Sequence, residues 1–592
     1  MPPRQAFTGS CRKLVFAFDV GTTFSGVSYC FLDPGQVPVI QGVNRFPAQE
    51  HVGGDCKIPS IICYDPNGTV RAVGAEATQE YIEEEIDDNG WVKLEWWKLH
   101  LRPRTMASSH VTDQDIPALP RNKTAVQVLA DFMHYLHQCA KKYIEESQAN
   151  GADMLRSVEY TTEFVLSHPN GWEGPQQTQI RNAAVMAGLV PDTPEGRSRI
   201  YLVTEGEASL HYCLGSGLAA DGFQDDEGVI IVDAGGGTID VSAYHMTTTS
   251  SFEEIAPAEC RLQGSIFVSR RAKTMLREKL CGSQFGGEDM VSHMATIFDS
   301  TTKQRFGNEN DPAYIKFGTI KDKDTSFNIR SGQLKLMGSD VATLFEPSAA
   351  AIIEAIEEQR HAATKTISTV FLVGGFAASE WLFMRLQNHL RPLGFGFCRP
   401  DSHTAKAVAD GAVAFFLDHR VSARVAKFTY GTRCATQFDR NDPQHKLRAS
   451  MAVPRPSGRT EESLIRTLQG TAVSETKEFS KNFITEVVDR SACDMITTEI
   501  VCYRGDSPNP RWTDSEPGMF STLCNVHADT SKVARTISPR RGYAGLQFYR
   551  QEFSIVLMFG LTELQAQLSW KEDGIEQRSP ATVVFDQVVE AA

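Results

Sequence analysis

The sequence predicts an α/β protein of two similar lobes, followed by a β-rich C-terminal region. Three stretches carry that reading. "FAFDVGTTFSG" (16–26) sets an aspartate near the end of an apolar run, directly before Gly-Thr-Thr. "IIVDAGGGTIDVSAY" (230–244) repeats this grammar: Asp19 overlays Asp233, Gly21 overlays Gly235, Val27 overlays Val241 and Ser28 overlays Ser242, all at one offset of 214. "TVFLVGGFAASEWLFMRLQNHL" (369–390) reads as strand, diglycine turn and helix. The repeat predicts two lobes, each offering one hairpin and one aspartate to a shared cleft.

The elements follow in order. Leu14 to Phe18 is a continuous apolar run, the mark of a buried strand. Gly21-Thr22-Thr23 makes the turn, and Val27, Tyr29 and Phe31 then alternate with Ser28 and Cys30, the period of a second strand. Strand–turn–strand is the context of neither a P-loop nor a dinucleotide fold, which both open a helix. A glycine turn can still aim its amides at an anion, because glycine lets the backbone approach closely. Thr22 and Thr23 add hydroxyl donors. A carboxylate beside such a nest repels phosphate unless a cation intervenes, so Asp19 reads as a partner of phosphate-bound Mg²⁺, held through water. Val370 to Val373 reads as a buried strand, Gly374-Gly375 as a turn against a nucleoside, and Ser379 as the N-cap of the next helix. Amphipathic helices are expected over 124–146, with Leu129, Phe132, Leu136, Ala140 and Tyr143 on one face, and over 347–359, through Ile352, Ile353 and Ile356.

Bulk properties narrow the class. A chain of 592 residues is too long for one core. A net charge of −14 disfavours general nucleic-acid binding. The first 20 residues lack the pattern of a signal peptide, and no run reaches the roughly 18 apolar residues of a membrane span. The 13 cysteines are scattered and never spaced CxxC, which argues for reduced thiols in a cytoplasmic or nuclear setting and against a zinc site.

Three motifs in this order resemble the actin, sugar-kinase and heat-shock-70 ATPase superfamily, with wording closest to the DnaK-type chaperones. "FDVGTTFSG" resembles their first phosphate loop, "VDAGGGTIDVS" the second and "VFLVGGFAAS" the adenosine loop. "KIPSIICY" (57–64), "VLSHPNGWEGPQQTQIRNAAVMAGL" (165–189), "TEGEASLHYCLGSG" (204–217) and "RPDSHTAKAVADGAVAFF" (399–416) resemble intervening and closing segments. The resemblance implies a nucleotide-binding domain over 13–420, after an N-terminal tail (1–12), built of two ribonuclease-H-like lobes with ATP or ADP and Mg²⁺ between them. Carried over residue by residue, Asp19, Glu205 and Asp233 would hold the metal's water shell. Gly21, Thr22, Thr23, Gly235, Gly236, Gly237 and Thr238 would cradle phosphates, Lys98 would position the attacking water, and Gly374, Gly375 and Phe376 would line the nucleoside. Pro169 matches the switch proline.

The chain also departs from that family. Phe376 and Ala378 stand where the chaperones carry serine and arginine, so the adenine-packing arginine is missing. The helix expected to supply other adenine contacts is poorly matched in "YIKFGTIKDKDTSF" (314–327), where Lys321 is offered as a ligand. The interlobe proline is Gly206. After 420 the resemblance fades into a β-rich region (421–592), with "FSIVLMFG" and "ELQAQLSW" expected to form a hairpin around Gly560, a polar loop expected over 503–518, and no length left for a helical lid. The function implied is a slow, Mg-dependent ATP hydrolase, chaperone-like or regulatory, with a protein client or regulator as partner. The alternatives are a nucleotide-sensing scaffold and a small-molecule, sugar-type kinase.

Overall fold

A computed structural model describes residues 4–49, 56–103, 116–172, 174–215, 227–247, 251–400, 406–425, 428–457, 460–468, 472–474, 478–505, 507, 510, 512–560 and 563–583. Residues 216–217 of the interlobe stretch, 401–405 of the closing segment and parts of the 503–518 loop lie outside them. The chain divides into two compact units, Met1–Trp172 with Gln179–Val421, and Glu173–Thr178 with Ser422–Ala592.

The first unit holds two sheets of one topology. In the first sheet, β1 (Lys13–Val20) pairs antiparallel with β2 (Phe24–Leu32), β2 pairs with β3 (Gln41–Gly42) and β4 (Lys57–Pro59), and β1 runs parallel to β5 (Thr162–His168), beyond which lies β6 (Ile200–Thr204). In the second, β7 (Gly228–Ala234) pairs antiparallel with β8 (Ile239–Met246), which pairs with β9 (Phe252–Glu254) and β10 (Glu259–Arg261); on its other side β7 runs parallel to β11 (Ile367–Val373), and β11 to β12 (Gly396–Cys398). The repeat seen in the sequence is therefore a repeat of strand order: a hairpin, then two parallel strands added on the side of its first strand.

Two helices exchange places between the repeats. The α1 helix (Ala125–Ser147) packs on β1 and β2. Then α2 (Glu205–Gly215) leaves the first sheet and packs on β7 and β8 of the second. Helices α3 (Ser265–Lys279), α4 (Gly338–Ala362) and α5 (Glu380–Leu390), with the helix Glu288–Ile297, build the second lobe. Last, α6 (Ala407–Asp418) leaves the second sheet and packs on β1, β2 and β5 of the first. Each lobe's closing helix thus covers the other lobe's sheet, and α2 and α6 pack on each other.

This exchange explains a difference from the sequence reading. The alternation in β2 suggests one wet face, yet both faces are covered. Val27 and Tyr29 lie in the core, while Ser28 on the other face donates its hydroxyl to Asp410 of α6, 2.5 Å away. A polar residue in a strand can face a polar helix as well as water.

The two cores are separate. Leu14, Phe16, Phe18, Phe132, Leu136 and Phe164 anchor the first. Ile230, Val232, Phe345, Ile352, Leu372 and Leu386 anchor the second. Each such side chain, fully withdrawn from water, stabilises the fold by about 1.5–3 kcal/mol before entropy is counted. Helix α1 starts on a capping box, with the Thr124 hydroxyl accepting from the Gln127 amide. Its face is as expected: Leu129, Phe132, Leu136 and Ala140 are buried and Tyr143 half-buried. Helix α4 begins nine residues before the expected start at Pro347 and carries that proline inside it. The turns before it are held by buried Val341, Leu344 and Phe345, which outweigh one missing backbone hydrogen bond. Ser379 caps α5 as expected, accepting from the Leu382 amide at 3.4 Å. The 314–327 stretch forms no helix: strand Ala313–Lys316 leads to an exposed turn and a short three-ten turn, Thr325–Phe327.

The second unit is β-rich. One antiparallel sheet orders its strands Val453–Pro454, Thr460–Leu468, Thr429–Gln437, Met495–Tyr503 and Phe520–Asp529. Another runs Glu478–Val487, Gln547–Gly560, Glu563–Glu572 and Ile575–Arg578. The expected hairpin is present, with Gly560 opposite Glu563. Ile500, Cys502, Val526, Val556 and Leu568 are buried in this unit. All 13 cysteines are free thiols. Among the described residues no helix is long and apolar enough to cross a membrane.

Candidate functional site

The two hairpin turns meet tip to tip. A β-carbon on Gly236 would lie 2.2 Å from the Thr23 hydroxyl oxygen, and one on Gly237 would lie 2.4 Å from that of Thr22. Only glycine permits this approach. The first turn is braced by Ser60, whose hydroxyl donates to the Gly21 carbonyl at 2.8 Å and whose amide donates to the Thr23 carbonyl at 2.8 Å. The second is braced by α3: the amides of Gly264, Ser265 and Ile266 donate to the carbonyls of Gly237, Gly235 and Gly236. The amides of Gly21 and Gly235 are spent on Ser25 Oγ and the Thr238 carbonyl. Those of Thr22, Thr23, Gly236 and Gly237 have no acceptor among the described residues. Four open amides on two apposed turns are donors of the kind from which an anion nest is built.

Carboxylates gather behind the turns. Asp19 and Asp233 are buried on β1 and β7, and Glu205 opens α2. Ser209 of α2 donates to Asp233 Oδ2 at 2.8 Å. Burial, Glu205 and Asp19 push the Asp233 carboxyl up to about 7, against the Ser209 hydrogen bond and Lys57. Asp240, opposite Asp233 in the β7–β8 register, is pushed well above its ordinary value by burial and by Glu205. Its Oδ1 accepts from the Asn170 amide at 2.6 Å, and its buried Oδ2 makes no hydrogen bond.

Two cations, Lys98 buried and Lys57 partly so, answer these charges. Lys98 lies in the three-ten turn Trp97–Leu101, donates to Glu205 Oε1 at 2.8 Å, and sits 5.2 Å from the Trp172 ring centre. A surface lysine resting its stem on tryptophans would have had its ammonium in water; this one is withdrawn because Trp97 is anchored inward, its indole N–H donating to the Ser60 carbonyl at 2.9 Å. Lys57 donates to Asp19 Oδ2 at 2.5 Å.

The remaining predicted residues divide. Gly374, at φ +91°, passes so close that a β-carbon would lie 2.3 Å from Asp233 Oδ1, and Gly375 has open space where a side chain would stand. Thr238 is buried at the end of the second turn. Phe376 turns away into the core, 6.1 Å between ring centres from Phe345. Lys321 is exposed on the turn after strand Ala313–Lys316 and pairs with no phosphate-turn residue among those described. Gly206 has a local reason: its amide donates to Asn170 Oδ1 at 3.2 Å, which a proline could not do.

Four participants escape the sequence reading: Lys57, Asn170, Ser209 and Asp240. Asp240 lies within the quoted second motif, but the overlay sets it on Gly26, so the repeat gives it no counterpart. Ser209 is four residues after Glu205, one helical turn, and that spacing was the available signal.

The arrangement fits a magnesium–polyphosphate. No three His, Cys, Asp or Glu groups among the described residues converge closely enough to hold an ion directly. The buried, unpartnered Asp240 Oδ2 and the neighbouring Asp233 and Glu205 suit a hydrated ion instead.

Duplicated hairpin-and-parallel-strand sheets, exchanged closing helices and apposed carboxylate-bearing turns are the architecture of a two-lobed, actin-like fold. The chain's sequence is similar to a heat-shock-70-like protein. It is 22% identical to the human protein named Heat shock 70 kDa protein 12B, a similarity covering 74% of this chain and 73% of that protein. No protein-family model matches the chain.

Proposed function

We propose that the cleft binds ATP and ADP with Mg²⁺, hydrolyses ATP slowly, and uses the difference to set the angle between the lobes in a chaperone-like or regulatory role. In this reading residues 13–420 act as the nucleotide-binding domain, and 421–592 as a β-rich region that meets a client or regulator, in the cytoplasm or nucleus. The observation that carries the reading is the tip-to-tip contact of Thr22–Thr23 with Gly236–Gly237, which leaves four amides open beside buried carboxylates. Asp19, Glu205 and Asp233 would hold Mg²⁺ through water, and the ion would neutralise phosphate charge.

The protein's own part is positioning. The open amides and threonine hydroxyls hold phosphate oxygens from both lobes. Lys98, fixed by Glu205, and Thr238 orient a water at the terminal phosphate, and Asp233, with a carboxyl near 7, accepts its proton. With the terminal phosphate gone, one set of contacts bridging the lobes is lost and closure weakens. Calorimetry with ATP and ADP beside a turnover assay tests this, with Asp233→Asn as control. Nucleotide binding with turnover that falls at least about tenfold in the variant supports it; equal turnover in both removes the hydrolytic role.

A second reading, a nucleotide sensor with little catalysis, draws on the adenine side. Ala378 stands where the chaperones carry arginine, and Phe376 is buried in the core. Binding without measurable turnover in the same experiment selects it.

A further inference from the structure

The first sheet carries a cation into the carboxylate cluster by a route that the second sheet lacks. In register, Lys57 on β4 lies opposite Gly26 on β2, and Gly26 lies opposite Asp19 on β1. The backbones of β4 and β1 are therefore two strand spacings apart, about 9–10 Å. A lysine side chain spans that gap only if nothing stands between. At Gly26 nothing does: a β-carbon there would lie 3.1 Å from Lys57 Cγ and 3.3 Å from the Cys56 carbonyl oxygen. Lys57 lies over the bare glycine and reaches Asp19 Oδ2. Its side chain is 17% exposed and that of Asp19 is 4%. In the second lobe the matching row runs Asp233, Asp240, Cys260, so a carboxylate fills the place of the bare Gly26 and no lysine stands beyond it.

Lys57 answers Asp19, and Lys98 answers Glu205. Two of the clustered carboxylates, Asp19 and Glu205, thus have fixed counter-charges in the protein itself.

We infer that Lys57 is a resident counter-cation of the phosphate site, held over Gly26 onto Asp19, and that nucleotide binds this chain with little dependence on a divalent ion. This rests on the nucleotide reading proposed above. The ammonium held on Asp19 Oδ2 offsets that carboxylate's charge, so its repulsion of an entering phosphate is screened without added metal.

The test is ADP titration of the full chain by calorimetry, once with Mg²⁺ and once with EDTA, for wild type, Lys57→Met and Lys57→Arg, with thermal shift by ADP as second readout. The expected result is a wild-type Kd within about threefold in the two buffers, a Lys57→Met Kd at least about tenfold weaker in EDTA than in Mg²⁺, and Lys57→Arg close to wild type. A wild-type Kd that weakens about tenfold or more in EDTA overturns the role of Lys57 while leaving the nucleotide site standing. A Lys57→Met protein as indifferent to EDTA as wild type also overturns it. If Lys57→Met does not fold, the wild-type pair of titrations decides. Absence of ADP binding in both buffers overturns the nucleotide reading itself, and the inference with it.

Discussion

Lys98 donates its ammonium to Glu205 across 2.8 Å, joining a turn of the first lobe to the helix that crosses into the second. Both side chains are nearly withdrawn from water, at 7% and 11% exposure. Removing one partner leaves the other buried and unpaired, and the loss exceeds what the pair contributes. Lys98→Met is expected to destabilise the protein by about 3 kcal/mol, and Glu205→Gln added to it should recover part of that loss. Urea denaturation of the two single variants and the double variant measures the coupling. Additive losses would show that the two groups act independently.

The contact between turns makes a second expectation. Gly236→Ala places a methyl group 2.2 Å from the Thr23 hydroxyl oxygen, with the whole threonine side chain in the way. The turns must separate, and the open amides then no longer converge. ADP affinity should fall by about tenfold or more, and Thr23→Gly in the same chain, which clears the contact, should restore most of it. Equal affinity in Gly236→Ala and wild type, read by calorimetry, would mean that the turns do not act together.

Much of this was legible because each turn is written locally. The aspartate at the end of a buried strand, the glycines and the following alternation all fall within a dozen residues, and the duplication doubles the signal. Lys57 was not legible because its partner is two strands away, and only the register that sets Lys57, Gly26 and Asp19 in one row brings them together. Asn170 is hidden for the same reason, its amide serving Asp240 seventy residues later. Phe376 misled in the other direction: its place after a diglycine suggests a ligand face, but a large apolar ring beside Phe345 gains more from the core. The sequence hides the start of α4, because Pro347 has the form of a helix opening while buried residues on both sides carry the helix through it.

His137 gives a pH expectation away from the cleft. Its ring lies among Phe16, Phe18 and Phe164, and burial, with smaller contributions from Lys141 and His134, pushes it down to about 4. The unfolded chain takes up this proton near the ordinary value of 6.5, the folded chain only near 4. Between those values the unfolded state holds more protons, so the stability contributed by a neutral His137 is complete above 6.5 and is lost as pH falls toward 4. Each pH unit in that window costs up to about 1.4 kcal/mol. In His137→Phe the melting temperature should fall less than in wild type between pH 6.5 and 4.5. Parallel melting curves in the two proteins would assign the acid loss elsewhere.

The contact between the exchanged helices reaches the site through packing alone. A β-carbon on Gly411 of α6 would lie 1.8 Å from the Ala208 carbonyl oxygen of α2. Backbone, not a flexible side chain, blocks that space, so Gly411→Ala must push the helices apart. On α2 the neighbours of Ala208 include Ser209, which donates to Asp233, and Glu205, which accepts from Lys98, stands one turn earlier. The shift is expected to cost about 1–3 kcal/mol of stability and, by moving both groups, to weaken ADP binding as well, although residue 411 belongs to neither phosphate turn. Denaturation and calorimetry on the same preparation separate the two effects. A variant that loses stability but binds ADP as tightly as wild type would show that α2 can tilt without carrying Glu205 and Ser209 out of place.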